Sequence, residues 1–406
     1  MASATTMAAF DDALKQYYTN QMIENLTYPK HPFLALIPKD EKFKGKNMPL
    51  PVIYGNPQGR SATFSTAQSN ATATKVSEFL LTRVADYGVV TISNETVEAS
   101  EGNEYAFISA EMTEINGIIR SLGDSLSYSL FRGKTGSIGK VNNSVFTGTA
   151  IDLVTDNDAL NFEIGMKLVV SSADGGGSVR SGTLTVTAVN RTATSNQITT
   201  SVALSTGISA IAQNDFVFVQ GDYDSKINGL LSWLPTTAPT SGDSFFSLDR
   251  SVDPTRLGGM RYDGSAQTHD EALIDAASLV AREGGSPDYC FTSYGDFAKL
   301  MKVLGSQVQR DVAKVGRFSF SGVELFADHG VIKVVPDKDC PLGRAFLVQM
   351  DTWKLYSLGR SPRIFQTDGL SMLRQATDDG IEVRAMYYAQ AGCRAPGWNC
   401  NVTLST

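Results

Sequence analysis

Histidine, cysteine, charge and long apolar runs are all scarce in this sequence, and each scarcity removes a class of function. There are three histidines, His31, His269 and His329. A Ser-His-Asp arrangement needs one of them beside a nucleophile and a carboxylate. His31 lies between two prolines, His269 falls in a helix first turn, and His329 falls in the turn Asp328-His329-Gly330. All three read as structural. Four cysteines (Cys290, Cys340, Cys393 and Cys400) in 406 residues do not make a disulfide framework. Cys393 and Cys400 are too far apart for a zinc pair and lack further ligands, so buried free thiols are expected, with no metal and no cofactor. Asp378-Asp379 precedes a glycine in a turn and reads as solvated. Gly133-Lys134-Thr135 has the end of a phosphate loop, but Tyr128 stands where its first glycine is required, and the segment closes a helix rather than opening one. No segment assembles catalytic machinery, and an enzyme is not expected.

No run approaches the roughly 20 apolar residues of a membrane span, and Met1-Ala2-Ser3-Ala4 lacks the basic and apolar regions of a signal peptide. The chain is expected to be cytosolic at synthesis. Charged residues make up 19% and the net charge is -7. The densest basic group (Lys39, Lys42, Lys44, Lys46) alternates along an arm and reads as a solvated face rather than a nucleic-acid footprint. Such a protein could line a space containing DNA without adhering to it. Ser, Thr, Asn and Gly fill the gap left by charge, which suits broad contacts between subunits.

What is present begins with a helical pattern over Ala8–Leu26, where Phe10, Leu14, Tyr17 and Met22 recur at helical spacing. Prolines at 29, 32, 38, 49, 51 and 57 then predict an irregular, extended arm, polar from Gly45 to Gln68. A β pattern returns from Phe79 to Ile92. A ribbon of this kind is marginal alone and needs a neighbour. Residues 55–78 carry few apolar anchors beyond Phe64 and Val76, so they should be mobile in a monomer and ordered along an adjacent subunit. The strongest periodicity follows: Ile108, Met112, Ile115, Ile119, Leu122 and Leu126 form one apolar stripe on a helix over Glu104–Phe131, roughly 40 Å long. From Val141 to Gln220 the chain turns Ser-, Thr- and Gly-rich, with short β runs at Lys167–Val170, Gly182–Val189, Gln197–Ala203 and Phe216–Gln220, which predicts an inserted small β-barrel or sandwich. Thr268-His269-Asp270-Glu271 is a capping box for a helix to Gly284, followed by the strand Tyr289–Thr292 and a helix from Ser293. Strands then read at Gly322–Leu325, Gly330–Val335, Ala345–Val348, Trp353–Leu358, Ile381–Ala391 and Asn399–Leu404.

Three groups of residues resemble the major capsid proteins of tailed double-stranded DNA phages, with the Hong Kong 97-like fold. They are Tyr28-Pro29-Lys30-His31-Pro32-Phe33-Leu34 with Pro49-Leu50-Pro51, Leu81-Thr82-Arg83-Val84-Ala85-Asp86-Tyr87 running into Asn94-Glu95-Thr96, and Pro287-Asp288-Tyr289 with the ending Pro396-Gly397-Trp398-Asn399. The resemblance implies an α+β fold with an N-terminal arm (1–44) and an extended loop over the adjacent subunit (45–92). It also implies a peripheral domain with a spine helix (93–140, continued over 223–285 and 371–406), an axial domain (286–370), and an insertion (141–222). It implies self-assembly into hexamers and pentamers of an icosahedral virion shell around double-stranded DNA, with assembly in the bacterial cytoplasm. Scaffolding and portal proteins, a decoration protein and non-specifically held DNA on the inner face would be partners; a membrane would not. Arg60, Phe64 and Lys75 on the loop would meet a neighbour carrying Glu111 and Glu114. Some relatives join a loop Lys to a C-terminal Asn, for which Lys75 with Asn399 or Asn401 qualifies by residue type. The alternatives are an encapsulin-type compartment shell, against which residues 141–222 count, and a carbohydrate-binding protein or hydrolase, against which the absence of Trp and Tyr from the insertion counts.

Overall fold

The computed structural model describes residues 20–93, 95, 104–192, 195–305, 310–315, 318–327, 330–366, 372–375 and 379–405, and over them the opening segment is more regular than its prolines imply. The helix expected over Ala8–Leu26 is described from Asn20 to Thr27 (α1); the positions before Asn20 lie outside the described residues, as do Asn94, Thr96, His329 and Asp378. Pro29 stands in the 3-10 turn Tyr28–Lys30, and Pro32 opens α2 (Pro32–Leu36). In the first turn of a helix the missing N–H has no bond to lose. After β1 (Lys39–Asp40), Pro49 and Pro51 lie inside β2 (Asn47–Gly55), where an irregular arm was expected. Among the described residues β2 pairs only with β3 (Lys75–Thr82). An edge strand tolerates proline, and the two rings take alternate exposed positions while Leu50 and Val52 between and beyond them are buried. The expected single return over Phe79–Ile92 is two strands, β3 and β4 (Val84–Ser93), which part at Arg83 and take different partners. The polar tip carries a short helix, α3 (Phe64–Ser69).

The apolar stripe forms α4, Glu104–Phe131. Ile115, Ile119, Leu122 and Leu126 are buried; the side chains of Ile108 and Met112 lie outside the described residues. Ile115 and Ile119 pack with Ile23 of α1 and with Ile381 and Val383 of a late strand. Gly88 of β4 lets the helix lie close, because a Cβ there would fall 2.4 Å from Ile118 Cγ1.

The chain divides into two compact units, Arg132–Gly229 and the remainder. The first contains β5 (Ser137–Lys140), β6 (Ala150–Asp152), β7 (Lys167–Ser171), β8 (Leu184–Thr192), β9 (Ser195–Thr200), α5 (Leu204–Gly207) and β10 (Phe216–Val219). The strand order is β5-β10-β7-β8-β9-β6. Val141 bridges Leu153 and the Val154 N–H donates to the Lys140 carbonyl at 2.9 Å, so β6 returns to β5 and the antiparallel sheet closes into a barrel. Closure removes exposed strand edges. Val141, Ile151, Phe162, Leu168, Leu184 and Ile198 are buried in it. The two ends of the unit are stitched together: Gly229 N–H donates to the Arg132 carbonyl at 3.1 Å and Asp224 N–H to that of Thr135 at 3.0 Å.

The other unit resumes with α6 (Leu230–Trp233), β11 (Ser244–Phe245), β12 (Leu248–Asp249), β13 (Met260–Gly264), α7 (His269–Arg282), β14 (Tyr289–Thr292) and α8 (Tyr294–Leu304). It continues through β15 (Arg310–Val315), β16 (Phe318–Ala327), β17 (Gly330–Pro336), β18 (Arg344–Val348), β19 (Trp353–Ser357), β20 (Arg363–Ile364), β21 (Met372–Arg374), β22 (Gly380–Cys393) and β23 (Cys400–Leu404). A seven-stranded mixed sheet runs β13-β23-β18-β14-β17-β16-β15. The capping box is made, with Thr268 N–H donating to Glu271 Oε2 at 3.2 Å. α7 then lays Ala272, Leu273, Ala276, Ala277 and Val280 on the seven-stranded sheet. Its alanine face and Gly264, whose Cβ would fall 2.4 Å from Ala272 Cβ, let the helix lie close on the sheet. A second sheet is organised on the long β22, which pairs β4 from Val84↔Ala389 to Ser93↔Gly380 and, on further ladders, β19, β20 and β21.

Candidate assembly interface

The β2–β3 ribbon is fixed at one end and bare at the other. At its base Leu50, Val52, Phe79 and Leu81 are buried. The Phe79 ring meets Trp233 at 4.9 Å and Phe245 at 6.1 Å. Rings continue inward from Trp233 to Trp353 (6.3 Å), to Phe33 (6.4 Å) and to Phe291 (4.9 Å). The β11–β12 hairpin clamps this base. Its two-residue turn puts Phe246 at φ 47° and Ser247 at φ 66°, the left-handed pair that matches strand twist. A bulky residue in that region is costly. Phe246 offsets the cost by packing on Trp233 at 5.6 Å and by accepting the Leu80 N–H at 2.9 Å. Arg256 Nη1 donates to the Tyr54 carbonyl at 2.7 Å, and Gln390 Nε2 to that of Thr82 at 3.0 Å.

Past Tyr54 the anchoring stops, and at Ile53, just before it, one face of the ribbon is already bare. Ile53 and Val76 face each other across the ladder, yet are 63% and 57% exposed. Phe64, first residue of α3, is 84% exposed, and no residue of that helix is buried. The tip is held by polar bonds within itself, such as Gln58 N–H to Thr72 Oγ1 at 2.9 Å and Thr63 Oγ1 to Thr66 Oγ1 at 2.7 Å. Three exposed aliphatic and aromatic side chains on a protruding polar tip have no wall within their own chain, which is the pattern of a contact completed by another copy.

Arg60, Phe64 and Lys75 all fall on this tip, and all are exposed. Glu114 is exposed on α4; the Glu111 side chain lies outside the described residues. Among the described residues no ion pair joins Arg60 or Lys75 to Glu114 within the chain. Asn399 and Asn401 are buried and committed: Asn399 Oδ1 accepts from Gln349 N–H (2.8 Å) and Trp353 Nε1 (2.9 Å), and Asn401 Nδ2 donates to the Leu234 carbonyl (2.8 Å). All four cysteines are buried and free; burial pushes the Cys393 thiol up to about 12.

The sequence reading missed two parts of this site. The aromatic floor under the ribbon (Trp233, Phe245, Phe246) is separated from Phe79 by the whole inserted unit, and no local pattern links them. His31, read from the sequence as structural, lies in a charge cluster with Asp124 and Asp339. Asp339 is 308 positions away from it, and only the fold brings them together.

Over residues 208–395 the chain matches the family model of the SU10 major capsid protein. No curated protein matches it. Among solved structures, a chain of the cyanophage A-1(L) capsid asymmetric unit is similar at 11% identity and a TM-score of 0.52, covering 96% of this chain and 98% of that one. A chain of the satellite phage P4 procapsid including size determination (Sid) protein is similar at 11% identity and a TM-score of 0.42, covering 100% and 98%. The shared fold is read from the cyanophage chain alone, and it is the expected α+β class. The family match over residues 208–395 and the shared fold over nearly the full length support the reading of this protein as a shell-forming major capsid protein of the tailed-phage kind.

Proposed function

We propose that the chain builds hexameric and pentameric capsomers of an icosahedral shell around a double-stranded DNA genome, and that the β2–β3 ribbon is the element laid over the next subunit. The observation that carries this reading is the bare tip: Ile53, Phe64 and Val76 are exposed on a ribbon whose base is locked by aromatic packing. Charge supports the same pairing. Between Lys39 and Arg83, both included, the sequence has seven Lys or Arg against three carboxylates; between Arg83 and Arg120 it has seven carboxylates and no Lys or Arg. Arg60 and Lys75 of one copy would then face Glu111 and Glu114 of the next. Each exposed pair contributes only about 0–1 kcal/mol, and repetition around a closed shell makes the sum significant.

In this reading residues 1–44 are the arm, 45–92 the extended loop, α4 the spine helix, and the barrel an insertion extending over Arg132–Gly229. The seven-stranded sheet with α7 and α8 is the axial domain. The role is structural and non-catalytic, assembly takes place in the host cytoplasm, and scaffolding, portal and decoration proteins are separate chains. Electron microscopy of the protein expressed alone and with its neighbouring genes tests it: closed uniform shells are expected. Replacing residues 56–74 by a short Gly-Ser turn should leave a folded subunit that builds none. Normal shells from that deletion would overturn the role given to the ribbon.

A further inference from the structure

His31 enters the interior between Pro29 and Phe33, and both of its ring nitrogens face carboxylates. Nδ1 is 2.8 Å from Asp339 Oδ2, and Nε2 is 3.1 Å from Asp124 Oδ1. A neutral imidazole donates from one nitrogen only, so acceptors on both sides fit the protonated ring. Asp339, buried, also accepts from Ser127 Oγ at 2.6 Å. Asp124, half-exposed, also pairs with Lys338. Asp337, fully buried, accepts the backbone N–H of Phe33 at 3.1 Å and that of Asp339 at 3.0 Å. Lys338 Nζ also lies 4.0 Å from Asp339 Oδ1, and Tyr294 at the start of α8 is a further titratable group near these carboxylates. Three separate pieces of chain therefore meet on one charge cluster: residues 31–33, the long helix through Asp124 and Ser127, and the segment 337–339 after β17.

We propose that this cluster is a pH-gated latch, in which the His31 imidazolium, clamped between Asp124 and Asp339, holds Tyr28–Leu36 against the long helix until the ring loses its proton. The segment matters because it carries Phe33, whose ring packs on Phe131, Phe291 and Trp353.

The direction of the pH effect follows from the surroundings. Burial works against charge on His31, but the bonds to Asp124 and Asp339 outweigh it and raise the ring from 6.5 to about 9. A raised folded-state value means that the contribution is complete below 6.5 and is lost as pH climbs through about 9. Burial, with the Asp339 charge beside it, pushes the Asp337 carboxyl up, and its ionisation opposes closure in the same direction. Burial also acts to raise Asp124, but His31 and Lys338 hold it down at about 2, so its contribution is present above 3.8 and lost only as pH falls towards 2. The latch is closed in mildly acidic solution and loosens on the alkaline side.

Hydrogen exchange of the full chain at graded pH tests this. The amides of Phe33, Ala35 and Ile37, bonded to Asp337 and to the carbonyls of His31 and Phe33, report the segment. Their protection factors, corrected for intrinsic exchange, should fall about tenfold per pH unit across the alkaline window. His31→Gln should lower protection at pH 6 and flatten the profile. Asp124→Asn, at a half-exposed position, should keep the fold and shift the fall to lower pH; it decides alone if His31→Gln does not fold. A flat wild-type profile between 6.5 and 9, or a slope unchanged by these substitutions, would overturn the latch.

Discussion

Phe33 and Phe64 lie in neighbouring proline- and glycine-punctuated stretches and meet opposite fates. Phe33 is 1% exposed, ringed by Phe131, Phe291 and Trp353; Phe64 is 84% exposed on a six-residue helix that buries nothing. A polar segment has few side chains with which to offset its ordering entropy, so the position of each anchor decides what the segment becomes. Phe33 finds a wall inside its own chain and is part of the subunit. Phe64 finds none, and in the proposed reading its segment is surface for another subunit.

That contrast can be attacked from its strongest side first. Ile115→Lys places an unpaired charge where Ile23, Ile119, Ile381 and Val383 converge. The cost of several kcal/mol is comparable with a total stability of about 5–15 kcal/mol, and soluble protein should be lost; wild-type yield would show that the stripe is not a core. Phe33→Ala should destabilise the subunit by about 3–5 kcal/mol, read as a lowered denaturation midpoint in urea. A loss below about 1 kcal/mol would remove the distinction between the two phenylalanines.

Residues 132–229, expressed alone, should give a dispersed amide spectrum, since their barrel closes and their ends are hydrogen-bonded to each other. A collapsed spectrum would mean that this unit needs the rest of the chain. Phe64→Ala should change subunit stability by no more than about 0.5 kcal/mol yet reduce shell yield in electron microscopy; equal yields would place the contact elsewhere on the tip. The smallest effect belongs to Arg60→Ala and Lys75→Ala, which should weaken assembly mainly at low salt, because exposed charge pairs are screened.

Local spacing was enough for some of this fold. The four-three alternation of apolar residues set α4 over Glu104–Phe131, and Thr268 with Glu271 marked the start of α7. Each signal is written within one or two turns of chain, so it survives without knowledge of the rest. Strand pairing is not written that way. Pro49 and Pro51 read as breakers because nothing nearby says that β2 keeps a free edge. β5 and β6, four and three residues long, give too short a pattern to be seen, and they are the strands that close the barrel.

Residue types and their order along the chain determined the long amphipathic helix, the polar arm poor in anchors and the motifs that resemble those of capsid proteins. Only the tertiary structure decided which aromatic residues are buried and which are exposed, and that His31 stands between Asp124 and Asp339. The reason is range. Periodicity and capping depend on neighbours a few residues away, whereas burial and ion pairing depend on contacts made across hundreds of positions, and no short window of sequence contains both partners.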